Sequence, residues 1–230
     1  MKEKFNKEGF VIIKNFYQKK VFKEVYLSLN NIFLNSKYKK IYKNFKNKNI
    51  EINIDKMLGY LKKKDQKFFS KIYENMSNQF FFENFINEKI KKTISKISGK
   101  RIFDLHFEQK ILRIDVPKFK KNLLKPHQDY LPLSIKQKLN KINGITIWCP
   151  LRDTNQVLGG IMVAPKSHKL GWVTHRLHSK QKYTSAAFKV SKELLNNLQF
   201  KQINTKKGDL LIMNTMLIHK SVSSNSDKVR

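Results

Sequence analysis

The order of apolar and polar positions predicts a helix-rich first part of the chain. An apolar run within residues 5–16 indicates a short strand that leads to a helix near 18–34. Similar patterns predict further helices near 65–78 and 80–98. The second of these should end at Gly99, because glycine readily adopts the left-handed conformation that closes a helix.

From about residue 102 onward the pattern changes to short, β-branched, alternating segments separated by Gly, Pro, Asn and Asp, which indicates strands. These segments are 102–116, 144–151, 159–165 and 208–219. Helices followed by strands are typical of an α+β protein with a mainly β core. We expect a single domain over residues 1–230, with about 1–100 helix-rich and about 101–230 forming the β-rich core.

The composition is that of a folded protein in a reducing compartment. Hydrophobic residues make up 40% of the chain and include 17 Phe, which excludes wholesale disorder. Cys149 is the single cysteine, which excludes an internal disulfide and a Cys-rich zinc module. The N-terminus lacks the apolar stretch of a signal peptide, and no segment is apolar enough to span a membrane. These features predict a cytoplasmic protein with no membrane partner.

The formal net charge of +31 allows two explanations. A basic surface gains affinity for nucleic acid by counterion release, so a Lys-rich nucleic-acid-binding protein is one alternative function. However, only 5 of the 48 basic residues are Arg, which grips bases and phosphates better than Lys. We therefore attribute the charge mainly to compositional bias and do not expect a nucleic-acid partner. The Lys-rich runs 37–48, 61–67 and 118–125 leave an anionic partner open.

Candidate chemistry begins at His127 and Asp129, which are separated by one residue. In an extended strand residues i and i+2 project to the same side, so both side chains can reach one ion. This spacing is weak evidence alone and needs a third ligand. His219 is available at the end of the alternating segment 208–219, although a histidine there can also be purely structural. Two His and one carboxylate leave three coordination positions open, as non-haem Fe(II) oxygenases require.

Several segments, in order, resemble the phytanoyl-CoA dioxygenase-like family of Fe(II)/2-oxoglutarate-dependent oxygenases. They are EGFVIIKNFY (8–17), HQD (127–129), ITIWCPLRDTN (145–155), GGIMVAPKSHKLGW (159–172) and GDLLIMNTMLIHKSVSSNSDKVR (208–230). The resemblance extends through nearly the whole chain. It implies an oxidoreductase of the dioxygenase type, with Fe(2+) as cofactor, 2-oxoglutarate as co-substrate and a small molecule as substrate.

The resemblance also implies roles for individual residues. His127, Asp129 and His219 would be the iron ligands and the catalytic centre. Arg230 would hold the distal carboxylate of 2-oxoglutarate, and Ser221 would assist it through its hydroxyl. Their predicted functions rest on matching positions of the family's motifs.

Other positions carry alternatives. Gln128 and Trp148 match positions that line the pocket in relatives, near either the co-substrate or the substrate, and we expect them to bind the cofactor. Gln128 should point to the opposite face of an ideal strand, and Trp148 can equally be a core residue. His168 matches a recurrent family histidine for which we expect a hydrogen bond that stabilises a turn, and Lys166 replaces the usual Gly of that turn.

The implied fold is a double-stranded β-helix, also called a jelly roll or cupin-like barrel, with N-terminal helices packed on one sheet. Relatives continue beyond the position of Arg230 with a further strand, so we expect the C-terminal strand to be missing. If so, Arg113 or a nearby Lys could hold the co-substrate instead, or the protein could be a catalytically degenerate oxygenase. A carboxylate at Asp129, rather than a small residue, favours hydroxylation over halogenation.

The substrate is not predicted beyond its class. Basic residues within 171–185, including His175, Arg176, His178 and Lys182, would suit an anionic substrate, or they form a solvated loop. The sequence does not predict an oligomeric state.

Overall fold

The computed structural model describes most of the chain as two compact units. The residues described are 1–77, 82–107, 110–117, 123–129, 144–173, 175–177, 188–226 and 228–229, of which 77, 175–177, 188 and 189 are described by backbone alone. A β unit comprises residues 1–16 and 119–225, and a helical unit comprises 17–118 and 226–230.

The described secondary structure is mixed α and β, and its elements follow one another in this order. They are α1 (Lys2–Glu8), β1 (Phe10–Ile13), a 3₁₀ helix (Lys19–Phe22), α2 (Lys23–Leu34), α3 (Lys39–Lys43), α4 (Ile50–Lys64), α5 (Gln66–Ser77), α6 (Phe82–Phe85), α7 (Glu88–Ser98), a 3₁₀ helix (Ile102–Asp104), β2 (Ile145–Trp148), β3 (Gly160–Val163), a 3₁₀ helix (Ser167–Leu170), β4 (His175–Leu177), β5 (Phe188–Val190), α8 (Lys192–Asn196), β6 (Lys201–Ile203), β7 (Leu210–Asn214) and β8 (His219–Val222).

The predicted helices near 18–34 and 65–78 correspond to α2 and α5. The described part of the predicted helix 80–98 is instead two helices, α6 and α7, which residues 86–87 separate. Helix α7 buries Ile90, Ile94 and Ile97, whose spacing places them on one face. Asn87 caps its start through a side chain that accepts a hydrogen bond from the Ile90 amide, and Gly99 caps its end with φ of 74°. The prediction for Gly99 is therefore confirmed. In the described residues, no helix combines the length and apolar character that crossing a bilayer requires.

Helix α4 was not predicted from the pattern. Its buried residues have helical spacing, and they are Ile54, Met57, Leu58 and Leu61. Polar residues between them and Gly59 in the middle of the helix weaken its propensity. Packing of the apolar stripe decides the conformation, as is usual for helices in folded proteins.

The predicted strand over 102–116 is wrong. Residues 102–104 form a 3₁₀ turn, and no ladder is assigned to the described residues 110–116. Leu112, Ile114 and Val116 are buried and alternate with more exposed neighbours. The alternation in the sequence thus reflects one-sided burial of an extended chain, without the backbone pairing that defines a sheet.

The β unit contains two three-stranded antiparallel sheets and a two-stranded pair. One sheet has the order β1-β7-β2, the other has β6-β3-β8, and β4 pairs with β5. Trp148 on β2 is opposite Leu211 on β7, whereas Val163 on β3 is opposite His219 on β8. Buried residues of both sheets form one apolar cluster, which consists of Phe10, Ile161, Val163, Ile203, Leu211, Met213 and Leu217.

The segment 208–219 is not one strand, contrary to the prediction. Strand β7 ends at Asn214, whose side-chain oxygen accepts a hydrogen bond from the Met216 amide at 2.8 Å. The Leu217 amide donates to the Asn214 carbonyl at 2.9 Å, which completes a turn. The turn transfers the chain from the first sheet to the second, so that His219 begins β8.

A second turn contains the 3₁₀ helix Ser167–Leu170. It forms hydrogen bonds both with helix α1 and with the residue before β8. The His168 ring donates through Nε2 to the Asn6 carbonyl at 3.0 Å, which is the turn-stabilising hydrogen bond expected of this residue. Ser167 Oγ accepts from the Ile218 amide at 2.8 Å. Lys166, at the position where the sequence resemblance leads us to expect Gly, has φ of 68°. This left-handed conformation explains why glycine suits the position.

Glycine substitutions test this packing. Gly9 has φ of 83°, and a Cβ there would lie 2.5 Å from His168 Nδ1 and 2.8 Å from Leu217 Cδ1. Gly9→Ala should lower the free energy of unfolding by about 2 kcal/mol or more, because conformational strain and overpacking add. Urea titration followed by circular dichroism measures this change.

The matched control is Gly59→Ala in α4, where a Cβ would meet nothing within 4 Å. Alanine in a helix interior should raise the free energy of unfolding by about 0.5–1 kcal/mol. Equal effects of the two substitutions would contradict the close approach of His168 to Gly9.

Candidate metal centre

Three side chains with metal-binding atoms converge in the β unit. Asp129 Oδ1 lies 3.4 Å from His127 Nε2 and 3.5 Å from His219 Nε2. The candidate ligand atoms of the three residues all lie within 4.8 Å of one another. The His127 and His219 side chains are 2% and 8% exposed, whereas Asp129 retains 28% exposure. The structure therefore brings together two buried imidazoles and a carboxylate that solvent can reach.

Backbone pairing holds these residues in register. His127 and His219 form an antiparallel bridge, in which each amide donates to the other's carbonyl at 3.0 Å. The Asp129 amide donates to the Thr215 carbonyl at 3.0 Å. The segment that carries His127 and Asp129 thus lies against the turn and strand that carry His219, although 92 positions separate the two histidines in sequence (219 − 127).

Each imidazole is oriented by a hydrogen bond at its other nitrogen. His127 Nδ1 lies 2.7 Å from the Lys125 carbonyl oxygen, and His219 Nδ1 lies 3.0 Å from the Leu217 carbonyl oxygen. A carbonyl oxygen only accepts, so each Nδ1 carries the proton and each Nε2 keeps its lone pair. This arrangement is the usual support of a metal-binding histidine.

The Nε2 atom of His127 is buried and has no hydrogen-bond partner among the described residues. Such an atom costs free energy in a folded protein unless something satisfies it. The nearby Asp129 Oδ1 cannot do so, because an ionised carboxylate is also only an acceptor. Three acceptors that face one another are satisfied by positive charge, which either a proton on an imidazole or a metal ion between them supplies.

The carboxylate of Asp129 is held in its ionised form. Burial raises the pKa of this carboxyl, but positive charge on the side of His219 and His127, together with the hydroxyl of Thr146, outweighs burial and holds the pKa well below its usual range. When both Nε2 atoms keep their lone pairs, a bound cation supplies this positive charge. Thr146 Oγ1 donates to Asp129 Oδ2 at 2.7 Å. The oxygen that faces the imidazoles is therefore Oδ1.

The donor set and the spacing fit a divalent transition metal. At metal–ligand bonds of about 2.1 Å, adjacent ligand atoms lie about 3 Å apart, which is close to the 3.4 and 3.5 Å between Asp129 Oδ1 and the two Nε2 atoms. Two imidazole nitrogens and one carboxylate oxygen are the facial set of non-haem Fe(II) sites, which leaves further positions open. The three residues present fit this group.

The Gln128 side chain is engaged by the backbone and not by the three converging residues. Its Nε2 donates to the carbonyls of Gly171 and Met216, each at 2.7 Å, and its Oε1 accepts from the Val173 amide at 3.0 Å. Strand alternation directs it away from the neighbouring ligands. Through these hydrogen bonds Gln128 joins segment 171–173 to the turn before β8. Its place in the cofactor pocket stays a prediction.

Trp148 and Ser221 lie on the strands that surround the centre. Trp148 is half-buried and packs against the apolar cluster of the two sheets, so the alternative of a core residue describes its contacts. It lies two residues after Thr146 and shares its face of β2. Ser221 is half-buried, lies two residues after His219 on β8, and donates its amide to the Leu124 carbonyl at 3.0 Å.

The remaining candidate residues are not brought to the centre by any observed contact. Arg230 lies outside the described residues, as do the side chains of His175, Arg176, His178 and Lys182. Arg113, the alternative holder of the co-substrate, lies in the helical unit and forms an ion pair with Asp115 at 3.2 Å.

Two supporting features were not found from the sequence. Thr146 is the hydroxyl donor to Asp129, and the carbonyls of Lys125 and Leu217 orient the two imidazoles. A carbonyl at position i−2 has no sequence signal, because every residue carries one. Thr146 had a weak signal, since it is a hydroxyl-bearing residue on the same strand face as Trp148, a residue already associated with the pocket.

Comparison with known proteins gives a match to one family model. The model described as phytanoyl-CoA dioxygenase (PhyH) matches residues 5–230. No curated protein matches the sequence closely enough to count as a relative.

Solved structures share the fold at low sequence identity. The EvdO2 protein of Micromonospora carbonacea var. aurantiaca, complexed with 2-oxoglutarate, has a TM-score of 0.60 at 11% identity, over 100% of this chain and 85% of that one. The epimerase SnoN, in complex with Fe³⁺, alpha-ketoglutarate and nogalamycin RO, has a TM-score of 0.54 at 10% identity, over 100% and 78%. The non-haem monooxygenase ThoJ in its apo form has a TM-score of 0.57 at 15% identity, over 100% and 73%.

The contacts of Gln128 predict a large effect of a nearly isosteric change. Gln128→Glu replaces the two donated hydrogen bonds with an acceptor that faces the Gly171 and Met216 carbonyls. The free energy of unfolding should fall by about 3 kcal/mol, because buried polar groups lose their partners. Denaturant titration measures the loss, and Gln202→Glu on the partly exposed β6 is the matched control. Similar small effects of both substitutions would contradict the structural function of Gln128.

Proposed function

The chain belongs to the phytanoyl-CoA dioxygenase family of Fe(II)/2-oxoglutarate-dependent oxygenases, and from this premise we propose that His127, Asp129 and His219 bind one Fe(II) and that the protein oxidises a small organic substrate. One observation carries the assignment of the ligands. Two imidazole Nε2 atoms and one carboxylate oxygen face one another as acceptors, and the buried His127 Nε2 has no hydrogen-bond partner among the described residues.

The three residues would hold the iron through His127 Nε2, Asp129 Oδ1 and His219 Nε2. The hydrogen bonds from the two Nδ1 atoms to carbonyl oxygens keep both rings in the tautomer that a metal requires. Bound Fe(II) supplies the chemistry in which dioxygen oxidises 2-oxoglutarate to succinate and carbon dioxide and one oxygen atom is used on the substrate. The protein contributes the positions of the three ligands, the negative charge of Asp129 and the burial of the two imidazoles.

The co-substrate would bind beside His219. Ser221 lies on the same face of β8 as His219, so its hydroxyl can donate to a carboxylate of 2-oxoglutarate. We assign the distal carboxylate to Arg230, whose planar guanidinium matches a carboxylate with two parallel hydrogen bonds. Trp148 is half-buried and lies on the face of β2 that carries Thr146, which supports a place in the wall of the same pocket.

The fold that we propose in full is a double-stranded β-helix. The support is that two three-stranded antiparallel sheets share an apolar cluster and that the candidate ligands arise from distant parts of the sequence. The similar structures described above are consistent with this architecture.

The reaction that we propose is hydroxylation. Asp129 supplies a carboxylate at the position that halogenases leave free for a halide, whereas desaturation and ring closure share the same ligands. The known structures of this fold include an epimerase and a monooxygenase, which illustrates that one fold serves several outcomes. The basic residues within 171–185 would suit an anionic substrate. No described contact favours nucleic acid as the partner.

Formation of the ternary complex is the direct test. Anaerobic addition of Fe(II) and 2-oxoglutarate should produce the weak visible charge-transfer band of the chelated iron, with one iron per chain. His127→Ala and His219→Ala should abolish the band, whereas His106→Ala, which changes an exposed histidine of the helical unit, should not. A band that survives in both ligand variants would contradict the assignment.

The proposed co-substrate residues predict graded losses. Arg230→Ala should raise the 2-oxoglutarate concentration at half-saturation by about 10- to 100-fold, because a charge-assisted pair is lost. Ser221→Ala should raise it by roughly 3- to 10-fold, since one neutral donor is lost. Titration of the charge-transfer band with 2-oxoglutarate measures both values. Wild-type affinity for 2-oxoglutarate in Arg230→Ala would exclude the proposed contact between Arg230 and the distal carboxylate.

Turnover distinguishes an active oxygenase from a degenerate one. Wild-type protein with Fe(II), 2-oxoglutarate and dioxygen should release succinate slowly even without the organic substrate. Asp129→Ala should lower this rate to the background of free iron, and far-ultraviolet circular dichroism should show that it remains folded. Charge-transfer binding without succinate release in the wild type would identify a degenerate form.

A further inference from the structure

We propose that Thr146 is a positioning residue of the metal centre, which holds Asp129 as a ligand through one oxygen and thereby keeps a coordination position open. The proposal rests on the proposed function, because it concerns the same three ligands. Thr146 does not touch the metal or the substrate in this proposal. It acts through the carboxylate of Asp129.

The hydrogen bond of Thr146 distinguishes the two carboxylate oxygens. Thr146 Oγ1 donates to Oδ2 at 2.7 Å, whereas Oδ1 faces both imidazoles at 3.4 and 3.5 Å. An ionised carboxylate only accepts, so the hydroxyl proton must be directed at Oδ2. A hydrogen bond to an ionised acceptor is stronger than one between neutral groups, which makes this orientation persistent.

The donor and the acceptor are fixed to one another through the backbone of Thr215. The Asp129 amide donates to the Thr215 carbonyl at 3.0 Å, and the Thr215 amide donates to the Gly144 carbonyl at 3.1 Å. Gly144 precedes Thr146 by two residues in the same chain segment. Thr146 itself is opposite Met213 in the β2–β7 ladder. The distance between the hydroxyl and the carboxylate is therefore set by main-chain hydrogen bonds.

Gly144 permits this close approach. A Cβ at position 144 would lie 2.6 Å from Thr215 Oγ1 and 2.8 Å from Thr215 Cγ2. Any side chain at position 144 would push Thr215 away and disturb the link between Asp129 and β2. The short spacing of these three segments thus depends on the absence of a side chain at one residue.

Threonine suits the task better than other donors. Its branched Cβ restricts the χ1 angle in a strand, so the hydroxyl has few alternative directions. It carries no charge that would compete with the iron for Asp129. A Lys or Arg at this position would neutralise the carboxylate and weaken it as a ligand.

The consequence for the reaction concerns the number of open positions. Two His and a carboxylate bound through one oxygen leave three positions on an octahedral ion, which two atoms of 2-oxoglutarate and one of dioxygen require. A carboxylate bound through both oxygens would occupy one of these positions. By holding Oδ2 away from the two imidazoles, Thr146 preserves the vacancy that the reaction needs.

Titration with Co(II) tests the proposal without turnover. Thr146→Val removes the hydroxyl and keeps the branched shape, so Co(II) affinity should fall by about 10- to 100-fold, as is usual when an outer partner of a ligand is lost. The visible spectrum of the bound Co(II) should also change, because its intensity depends on coordination number. Thr146→Ser retains a donor and should restore affinity and spectrum.

The controls separate this proposal from the assignment of the site. Thr154→Val removes another buried hydroxyl of the β unit, which bonds Thr205 and not a candidate ligand, and should leave Co(II) binding unchanged. Asp129→Ala should abolish tight binding. If the wild type does not bind Co(II), or if Asp129→Ala binds it as tightly as the wild type does, the proposed metal centre itself is wrong.

If the wild type binds Co(II), Asp129→Ala does not, and Thr146→Val retains both wild-type affinity and wild-type spectrum, the function of Thr146 is overturned while the metal centre stands. Should Thr146→Val fail to fold, Thr146→Ala provides the same loss of the donor with less bulk. The same reduction in affinity and the same spectral change are expected for it, and wild-type values would again overturn the proposal.

Discussion

The pairing of residues 127–129 with residues 215–219 is the constraint on which the candidate site depends. Two hydrogen bonds between the backbones of His127 and His219 and one from Asp129 to Thr215 fix the register. A shift by one residue would direct the ligand side chains to the opposite face of the strand. Main-chain pairing between two segments that are distant in sequence therefore fixes where the three side chains lie.

The hydrogen bonds and charges of the paired segments favour a bound cation. The carbonyls of Lys125 and Leu217 use the Nδ1 protons, so both imidazoles present lone pairs toward an ionised carboxylate. Without a cation, this cluster of acceptors in a largely buried place is costly, and with one it becomes favourable. Thr146 on the neighbouring sheet completes the arrangement by selecting the carboxylate oxygen.

The sequence predicted the family, which is confirmed, and it named the three residues that converge. It succeeded because H-x-D in an extended chain is a local geometric feature and because ordered motifs extend along most of the chain. It failed where long-range contacts decide. Alternation over 102–116 reflected burial without a ladder, and the alternating segment 208–219 contained a turn set by Asn214. The side chain of Gln128 donates hydrogen bonds to the carbonyls of Gly171 and Met216, and no sequence pattern indicates such contacts with backbone groups.

The most direct test of the central claim is a crystal structure of the protein loaded anaerobically with Fe(II). The account predicts one iron bound by His127 Nε2, His219 Nε2 and a single oxygen of Asp129, with the Thr146 hydroxyl still on the other oxygen. Iron bound elsewhere, iron bound through a histidine Nδ1, or these three side chains without iron at saturating Fe(II) would contradict it.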